Sequence, residues 1–265
     1  MAFAPRAVVD GPPRLPLPYG LFSVVSLAEA STERWENGVT WLGASCDPVA
    51  IVVGDCDAPE GFPKQFPDGG GVVGEASAFT VYGTYKCSPS GNAVSEGQRQ
   101  AREVLIAREE AAVERRLWDS MDDDPTVLAG GDPLVTLALL ERFIGDEYGS
   151  LGVIHASRFA AAILVVKGLI SGNGKQMQTA LGTPVVVGTG YPGTGVDGVA
   201  PPDASEYIAA TPAMFGYRSQ IFESTNRPGD LLDRTSNDLY GIAERNYLIG
   251  YDNCGVAFAP VTLTE

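Results

Sequence analysis

The sequence predicts an α+β fold with segments that extend beyond its core, and three observations carry this prediction. A long helix signal runs from Ser90 to Asp124. Strand-like segments lie on both sides of it, without the regular strand and helix alternation that builds a parallel sheet. Two further segments differ from the rest: residues 1–20 carry prolines, few charges and no hydrophobic periodicity, and residues 54–74 are rich in glycine and proline.

The composition is that of a folded protein with a strongly acidic charge. The chain has 265 residues, 45% of them hydrophobic, and 18 basic against 33 acidic residues give a formal net charge of −15. A grip on nucleic acid needs clustered Lys and Arg to displace counterions, and anionic lipids attract basic segments. The charge therefore argues against specific nucleic-acid binding and against a membrane surface as a partner.

The N-terminal segment shows no export signal. Residues 1–20 hold five prolines and no apolar stretch of signal-peptide length. The longest apolar run of the chain, Phe159 to Val166, is far too short to span a membrane. We therefore expect synthesis in the cytoplasm. Without a core of its own, segment 1–20 is either an extended arm that lies on another surface or a disordered tail.

The long helix signal carries two apolar stripes. Ser95 and Gln98 fit a capping box at its start, and Asp122 to Pro125 end it. The wider stripe contains Ala101, Val104, Leu105, Ala111, Ala112 and Trp118, and the narrower one contains Ile106, Val113 and Leu117. Two stripes separated by charged residues indicate two contacts, one with the helix's own domain and one with a neighbouring chain. The alternative is an ordinary surface helix.

Two more helices and several strands are predicted after this helix. Asp132 and Pro133 form a good N-cap and first-turn pair for a second helix. Ser157 caps a third, RFAAAILVVKGLI, which is apolar almost all round and is therefore expected to be central. Strands are predicted at residues 78–87, 152–156, 183–187, 205–225 and 238–263.

Two features could indicate an enzyme, and neither is convincing. His155 is the only histidine and lies in an apolar strand, where a hydrogen-bonded core residue is the commoner outcome. GTGYPG, at residues 188–193, matches the dinucleotide-binding pattern GxGxxG and follows a strand. The pattern also needs a helix that begins at the motif, and TGVDGVAPP cannot start one. We therefore reject the dinucleotide interpretation.

No metal or phosphate site is predicted either. GNGK near Lys175 lacks the glycine spacing and the Ser or Thr of a phosphate loop. Asp122 to Asp124 are interpreted as a solvated helix stop. The four cysteines, Cys46, Cys56, Cys87 and Cys254, show no CxxC pair, so free buried thiols are expected. We expect no cofactor.

The order of these parts resembles that of the major capsid proteins of tailed bacteriophages, whose Hong-Kong-97-type fold is shared with encapsulin shells. The strand-and-loop sequence LGTPVVVGTGYPG resembles a common strand of that family. GVIHAS, ALGTPVVVGTGY and AERNYLIGYDNCGVAF are similar in character to virion proteins of actinobacterial phages. The resemblance covers most of the chain, but it is one of element order, and no single motif is diagnostic.

The resemblance implies five parts. They are an N-terminal arm (1–38), an E-loop (39–77), a first part of the peripheral domain with the spine helix (78–127), an axial domain (128–217) and a second part of the peripheral domain (218–265). FPKQF would form the tip of the E-loop. Some family members cross-link their subunits through an E-loop lysine. Lys64 lies in the matching stretch, but no asparagine partner is identifiable, so we do not carry this chemistry over.

The implied function is structural rather than enzymatic. A subunit of this family self-assembles into the icosahedral capsid shell that encloses the phage genome, so the expected location is the virion. The expected partners are further copies of the chain in hexamers or pentamers, with decoration proteins, other capsid proteins and a separate scaffolding protein as further candidates. Seven residues are predicted to make subunit contacts: Leu15, Leu17, Tyr19, Phe62, Lys64, Phe66 and Trp118.

Three alternatives stay open at this point. The first is a minor capsid, pentamer, neck or tail protein of the same virion. The second is an encapsulin-like cargo shell of cellular origin. The third, from another class, is a nucleotide-binding enzyme that uses the GTGYPG loop and His155.

Overall fold

The fold is that of a computed structural model, and the description concerns residues 12, 15–29, 33–43, 46, 73–87, 94–121, 123–223, 232–233, 235 and 238–263. Its α-helices are α1 (Val94–Ser120), α2 (Pro133–Phe143) and α3 (Arg158–Val166). Shorter helical turns are Leu21–Ser23, Glu33–Asn37, the π-helical turn Ile144–Tyr148 and Val196–Gly198.

The described residues form fifteen strands. Before α2 these are β1 (Leu27–Glu29), β2 (Val39–Leu42), β3 (Val73–Ala76), β4 (Phe79–Cys87) and β5 (Thr126–Val127). The middle strands are β6 (Val153–Ser157), β7 (Ile170–Asn173), β8 (Gln176–Thr179), β9 (Pro184–Gly188) and β10 (Ser205–Thr211). The last are β11 (Met214–Arg218), β12 (Phe222–Glu223), β13 (Leu232–Asp233), β14 (Asp238–Tyr251) and β15 (Ala257–Thr262).

Two main sheets and one hairpin result. In the first sheet, of six strands, the 14-residue β14 pairs with β4, β11, β12 and β13, and β1 adds parallel to β11. The second sheet has seven strands in the order β5-β15-β10-β6-β9-β8-β7. β2 and β3 form a separate antiparallel pair in which Val39 lies opposite Ala76.

The strands are divided between the sheets differently from the predicted domain boundaries. β11 falls in the range predicted as axial, yet it pairs with β14 in the first sheet. β15 falls in the range predicted as peripheral, yet it lies between β5 and β10 in the second sheet. The chain crosses from the second sheet to the first just before β11, and returns to the second sheet just before β15. The five-part division itself stays a prediction.

α1 lies against the first sheet at two glycines. A Cβ atom at Gly241 would lie 2.1 Å from the carbonyl oxygen of Gly97, and one at Gly83 would lie 2.6 Å from that of Ala101. No side chain fits at either place, so these glycines in β14 and β4 let the helix backbone approach the sheet.

The helix begins at Val94, which puts Ser95 inside it, and the predicted capping box starting at Ser95 is wrong.

The buried residues of α1 are also arranged differently from the two predicted apolar stripes. Ala101 and Leu105, in the first half of the helix, pack against Ala243 of the first sheet. Val113, Leu117 and Trp118, in the second half, belong to a larger core that includes Val186 and Phe258 of the second sheet. This core also contains Tyr247 of β14, so the second half of the helix packs between the two sheets, whereas the first half packs on the first sheet. Val113 and Leu117 of the narrower stripe are thus buried within one chain, and the expectation that they serve a neighbour is wrong. Ile106 of the same stripe is 43% exposed, and for it the expectation stays a prediction.

The central strands of the second sheet are buried on both faces. Ile154 and Ala156 of β6 point into a core with α2 and α3, whereas Val153 packs on the opposite side with α1.

α2 begins as predicted, because the Asp132 side chain accepts hydrogen bonds from the amides of Leu134 and Val135. Ser157 caps α3 as predicted. The expectation that α3 is central is wrong, since the helix lies on the surface. Its exposed apolar side chains are Phe159 (59%), Val165 (46%) and Val166 (86%).

Candidate functional site: the arm junction

The N-terminal segment is joined to the body of the protein by backbone groups of residues 18–25, a region named here the arm junction. The amide of Leu21 donates a hydrogen bond to Oε1 of Glu114 (3.1 Å), and the amide of Phe22 donates one to Oε1 of Glu110 (2.8 Å). Both amides belong to the first turn of a short helix, where amides have no partner within the helix. Glu110 and Glu114, one turn apart on α1, therefore form a carboxylate clamp for this turn.

The clamp also holds the GTGYPG loop. The amide of Gly190 donates to Oε2 of Glu114 (2.9 Å). A Cβ atom at Gly190 would lie 2.0 Å from the carbonyl oxygen of Ala111, so the loop reaches α1 only because this residue is glycine. An amide that the nucleotide hypothesis would aim at a phosphate is thus bound to a carboxylate of the same chain.

Burial determines the electrostatics of the clamp. Glu114 is 1% exposed, and desolvation raises its pKa to about 7, although hydrogen bonds from Gly190 and Leu21 oppose the shift. Desolvation also raises the pKa of Glu110, and the Phe22 amide opposes it there. The charged form of a carboxylate loses more on burial than these amides return. The clamp therefore holds a proton more readily than a solvated glutamate pair.

Three further bonds connect the junction to the second sheet and α3. The carbonyl oxygen of Tyr19 accepts from the Val187 amide (2.7 Å), which places the arm beside β9. Arg158 donates to the carbonyl oxygen of Pro18 (3.2 Å), and Gln176 donates to that of Ser23 (2.8 Å). The segment is consequently tied to α1, α3, β8 and β9 at once.

The residues predicted to make subunit contacts differ in their exposure to solvent. Leu15 and Leu17 are 83% and 51% exposed, beyond the last bond of the junction. Tyr19 is half-buried and packs against the core of its own chain. Trp118 is 3% exposed and packs against Tyr191 and Phe258, which corrects the expectation that it faces a neighbour. Phe62, Lys64 and Phe66 lie outside the described residues.

His155 is the hydrogen-bonded core residue that the sequence indicated. It is completely buried, its Nδ1 lies 2.8 Å from the hydroxyl of Tyr191, and its Nε2 lies 3.0 Å from Oγ1 of Thr211. Burial lowers the pKa of His155 to about 3, so the ring is neutral at pH 7. Both ring nitrogens face hydroxyl groups of their own chain, which explains the residue as a packing element.

A disulfide joins Cys46 to Cys254, with 5.5 Å between their Cα atoms. The expectation of free thiols is wrong for this pair, because residues 208 positions apart meet where the segment after β2 passes the turn between β14 and β15. The side chains of Cys56 and Cys87 lie outside the described part. The bond fastens the β2–β3 hairpin, the base of the predicted E-loop, to the body of the protein.

A cavity of about 320 Å³ lies between this hairpin, α1 and β14. Its lining includes Trp41, Arg116, Tyr251 and Asn253. Neither His155 nor any residue of GTGYPG borders it. The two features behind the enzyme alternative are therefore not associated with this cavity.

The remaining sequence expectations concern membranes and metals. Within the described ranges, no helix has the length and apolar character needed to cross a bilayer. Over the same residues, no three His, Cys, Asp or Glu side chains come together as a metal site would require.

The comparisons with known proteins concern the fold. No protein-family model and no curated protein matches the sequence. A chain from Microbacterium phage Oxtober96 has a TM-score of 0.52 and 11% identity, over 99% of this chain and 96% of that one. A chain from Mycobacterium phage Che8 has a TM-score of 0.50 and 14% identity, over 97% of both chains.

A third similar structure is a capsid particle. A chain from the capsid of an empty GTA particle matches with a TM-score of 0.50 and 12% identity, over 98% of this chain and 95% of that one. At such identities the likeness concerns the fold, and it extends along the full length of each pair of chains. The α+β prediction is confirmed, and this chain has the Hong-Kong-97-type fold of phage capsid proteins.

Proposed function

We propose that this protein is a structural virion subunit that self-assembles into an icosahedral capsid shell around a phage genome. The observation that carries the proposal is the full-length likeness to a chain from the capsid of a GTA particle. A match that spans 98% of this chain includes its outlying segments as well as its core. Such segments are stable when a neighbouring subunit covers them.

The partners proposed are further copies of the chain, arranged as hexamers or pentamers. Leu15 and Leu17 support this, because their apolar side chains are exposed on a segment that the arm junction holds at one end. Burial against a second copy would remove this apolar surface from water. We propose Leu15 and Leu17 as subunit contacts, and Phe62, Lys64 and Phe66 of the predicted E-loop as further ones.

The charge of the chain fits an enclosed genome. A formal net charge of −15 repels nucleic acid, so a shell built from this subunit would package a genome without adsorbing it. We propose the virion as its location after synthesis in the host cytoplasm. We also propose that the first sheet with α1 forms most of the peripheral domain, and the second sheet with α2 and α3 most of the axial domain.

Removal of residues 1–17 is expected to prevent assembly and leave the subunit folded. The deletion takes away Leu15 and Leu17 and retains Pro18, Tyr19 and the amides bound by the clamp. Sedimentation velocity and negative-stain imaging should show shells for the full chain and single subunits for the truncated one, with equal melting temperatures for the two unassembled proteins. Shells of normal size from the truncated chain would contradict the role of the arm.

A further inference from the structure

Leu21 and Val25 of the arm pack in one core with Val113 of α1, and the hydrogen bonds from the arm to α1 run from backbone amides to two carboxylates. Leu21 and Phe22 donate to Glu114 and Glu110, respectively. Neither glutamate forms an ion pair within the part of the chain that the structure describes. Two like charges one helical turn apart repel each other, and the charge of Glu110 acts on Glu114 in this way. The clamp closes on the arm against this repulsion.

The docked arm buries Glu114 and partly shields Glu110 from water. Leu21 is completely buried, and Gly20 lies so close to the clamp that a Cβ atom there would be 2.3 Å from Oε1 of Glu110. If the turn of residues 21–23 left its place, water would reach both carboxylates and stabilise their charges. Ionisation therefore favours the released arm, and protonation favours the docked one.

We propose that Glu110 and Glu114 form a proton-dependent latch for the N-terminal arm, closed while the pair holds a proton and weakened when both carboxylates are ionised. The latch belongs to the single subunit, so it does not depend on the proposed shell. Its action would set how freely residues 1–20 leave their own subunit.

The other charged and titratable groups around the clamp do not account for the proposed pH dependence, which is therefore assigned to the glutamate pair. On α1, Glu109 pairs with Arg245 of β14 at 3.0 Å. The charge of Arg158 on α3 lowers the pKa of Glu110. The remaining titratable groups nearby are Tyr191 of the GTGYPG loop and His155 of β6, which are hydrogen-bonded to each other. Burial raises the pKa of Tyr191 well above its usual value and lowers that of His155 to about 3. Neither changes its charge between pH 5 and pH 8, a range that includes the pKa of about 7 for Glu114.

The sign of the pH dependence follows from these values. The pKa of Glu114 is about 7 in the docked state, against a usual value of 4.5 once the carboxylate is solvated. The docked state thus binds more protons between these values. Docking should therefore weaken as the pH rises through this window, by at most about tenfold for each pH unit, and level off above pH 7.

Hydrogen exchange on the full-length, unassembled protein tests the latch. The probes are the amides of Leu21 and Phe22, with rates corrected for the intrinsic effect of pH. Their protection should fall by about tenfold or more between pH 5.5 and pH 8. It should stay constant in E110Q/E114Q, whose amides mimic the protonated pair. E103Q is the matched control, because Glu103 lies on α1 but pairs with the exposed Arg99. It should behave as the unmodified chain does.

Three results would overturn the proposal. They are constant protection of Leu21 and Phe22 in the unmodified chain, an undiminished pH dependence in E110Q/E114Q, and an equal fall at amides of α2, which would indicate global loosening. The first and third need no variant, so the test stands even if the double substitution prevents folding. A protein that forms no shells gives the same exchange result, which keeps this test separate from that of the proposed function.

Discussion

Trp118→Ala is expected to lower the free energy of unfolding of the subunit by about 3–5 kcal/mol. The indole ring is 3% exposed and lies at the centre of the core between α1 and the second sheet, with ring centroids 5.2 Å from Tyr191 and 5.1 Å from Phe258. Truncation leaves a cavity between elements that are too constrained to close it. Urea unfolding of the unassembled subunit measures the loss.

The control for this substitution is Val166→Ala on α3, whose side chain is 86% exposed. It should change the free energy of unfolding by less than about 0.5 kcal/mol. The experiment also separates the two roles considered for Trp118. A subunit contact would leave the stability of the isolated subunit unchanged and impair assembly, so a loss below about 1 kcal/mol would contradict its place in the core.

Cys254→Ser is expected to lower the free energy of unfolding by about 2–5 kcal/mol under oxidising conditions. The bond to Cys46 spans 208 residues, and a cross-link over so long a separation removes much conformational freedom from the unfolded chain. Because disulfides form and persist in oxidising environments, the comparison is made on the purified, oxidised protein.

A thiol reductant provides the matched control for Cys254→Ser. It should destabilise the unmodified chain by the same amount and leave the variant unaffected. The hairpin of β2 and β3 should exchange its amide hydrogens faster in both cases, since the bond fastens this hairpin to the turn after β14. Equal stability of the unmodified chain with and without reductant would show that the bond does not form.

Local signals in the sequence predicted most of the elements correctly. The capping residues Asp132 and Ser157 were identified because a side-chain oxygen one turn before an apolar run binds the first free amides of a helix. The two long C-terminal strands were evident from their β-branched and aromatic residues. Such features depend on neighbours within a few positions, which a sequence displays directly.

The errors involve contacts between distant parts of the chain. Glu114 lies among the charged residues that separate the two stripes of α1, which favours a surface position, yet its carboxylate is buried and binds amides 93 and 76 positions away. Its place beside Val113, Leu117 and Trp118 was a signal that could have indicated burial. Cys46 and Cys254 gave no local sign of pairing. The apolar composition of α3 predicts a central helix, yet only the side with Ala160, Ala161 and Leu164 packs against the second sheet.

Imaging of the purified full-length protein by cryo-electron microscopy tests the central claim, that this fold builds a shell. The account predicts closed particles in which residues 15–17 of each subunit lie against a neighbouring copy. A monodisperse single subunit at every concentration, pH and salt condition tried, with Leu15 and Leu17 still exposed to solvent, would contradict it.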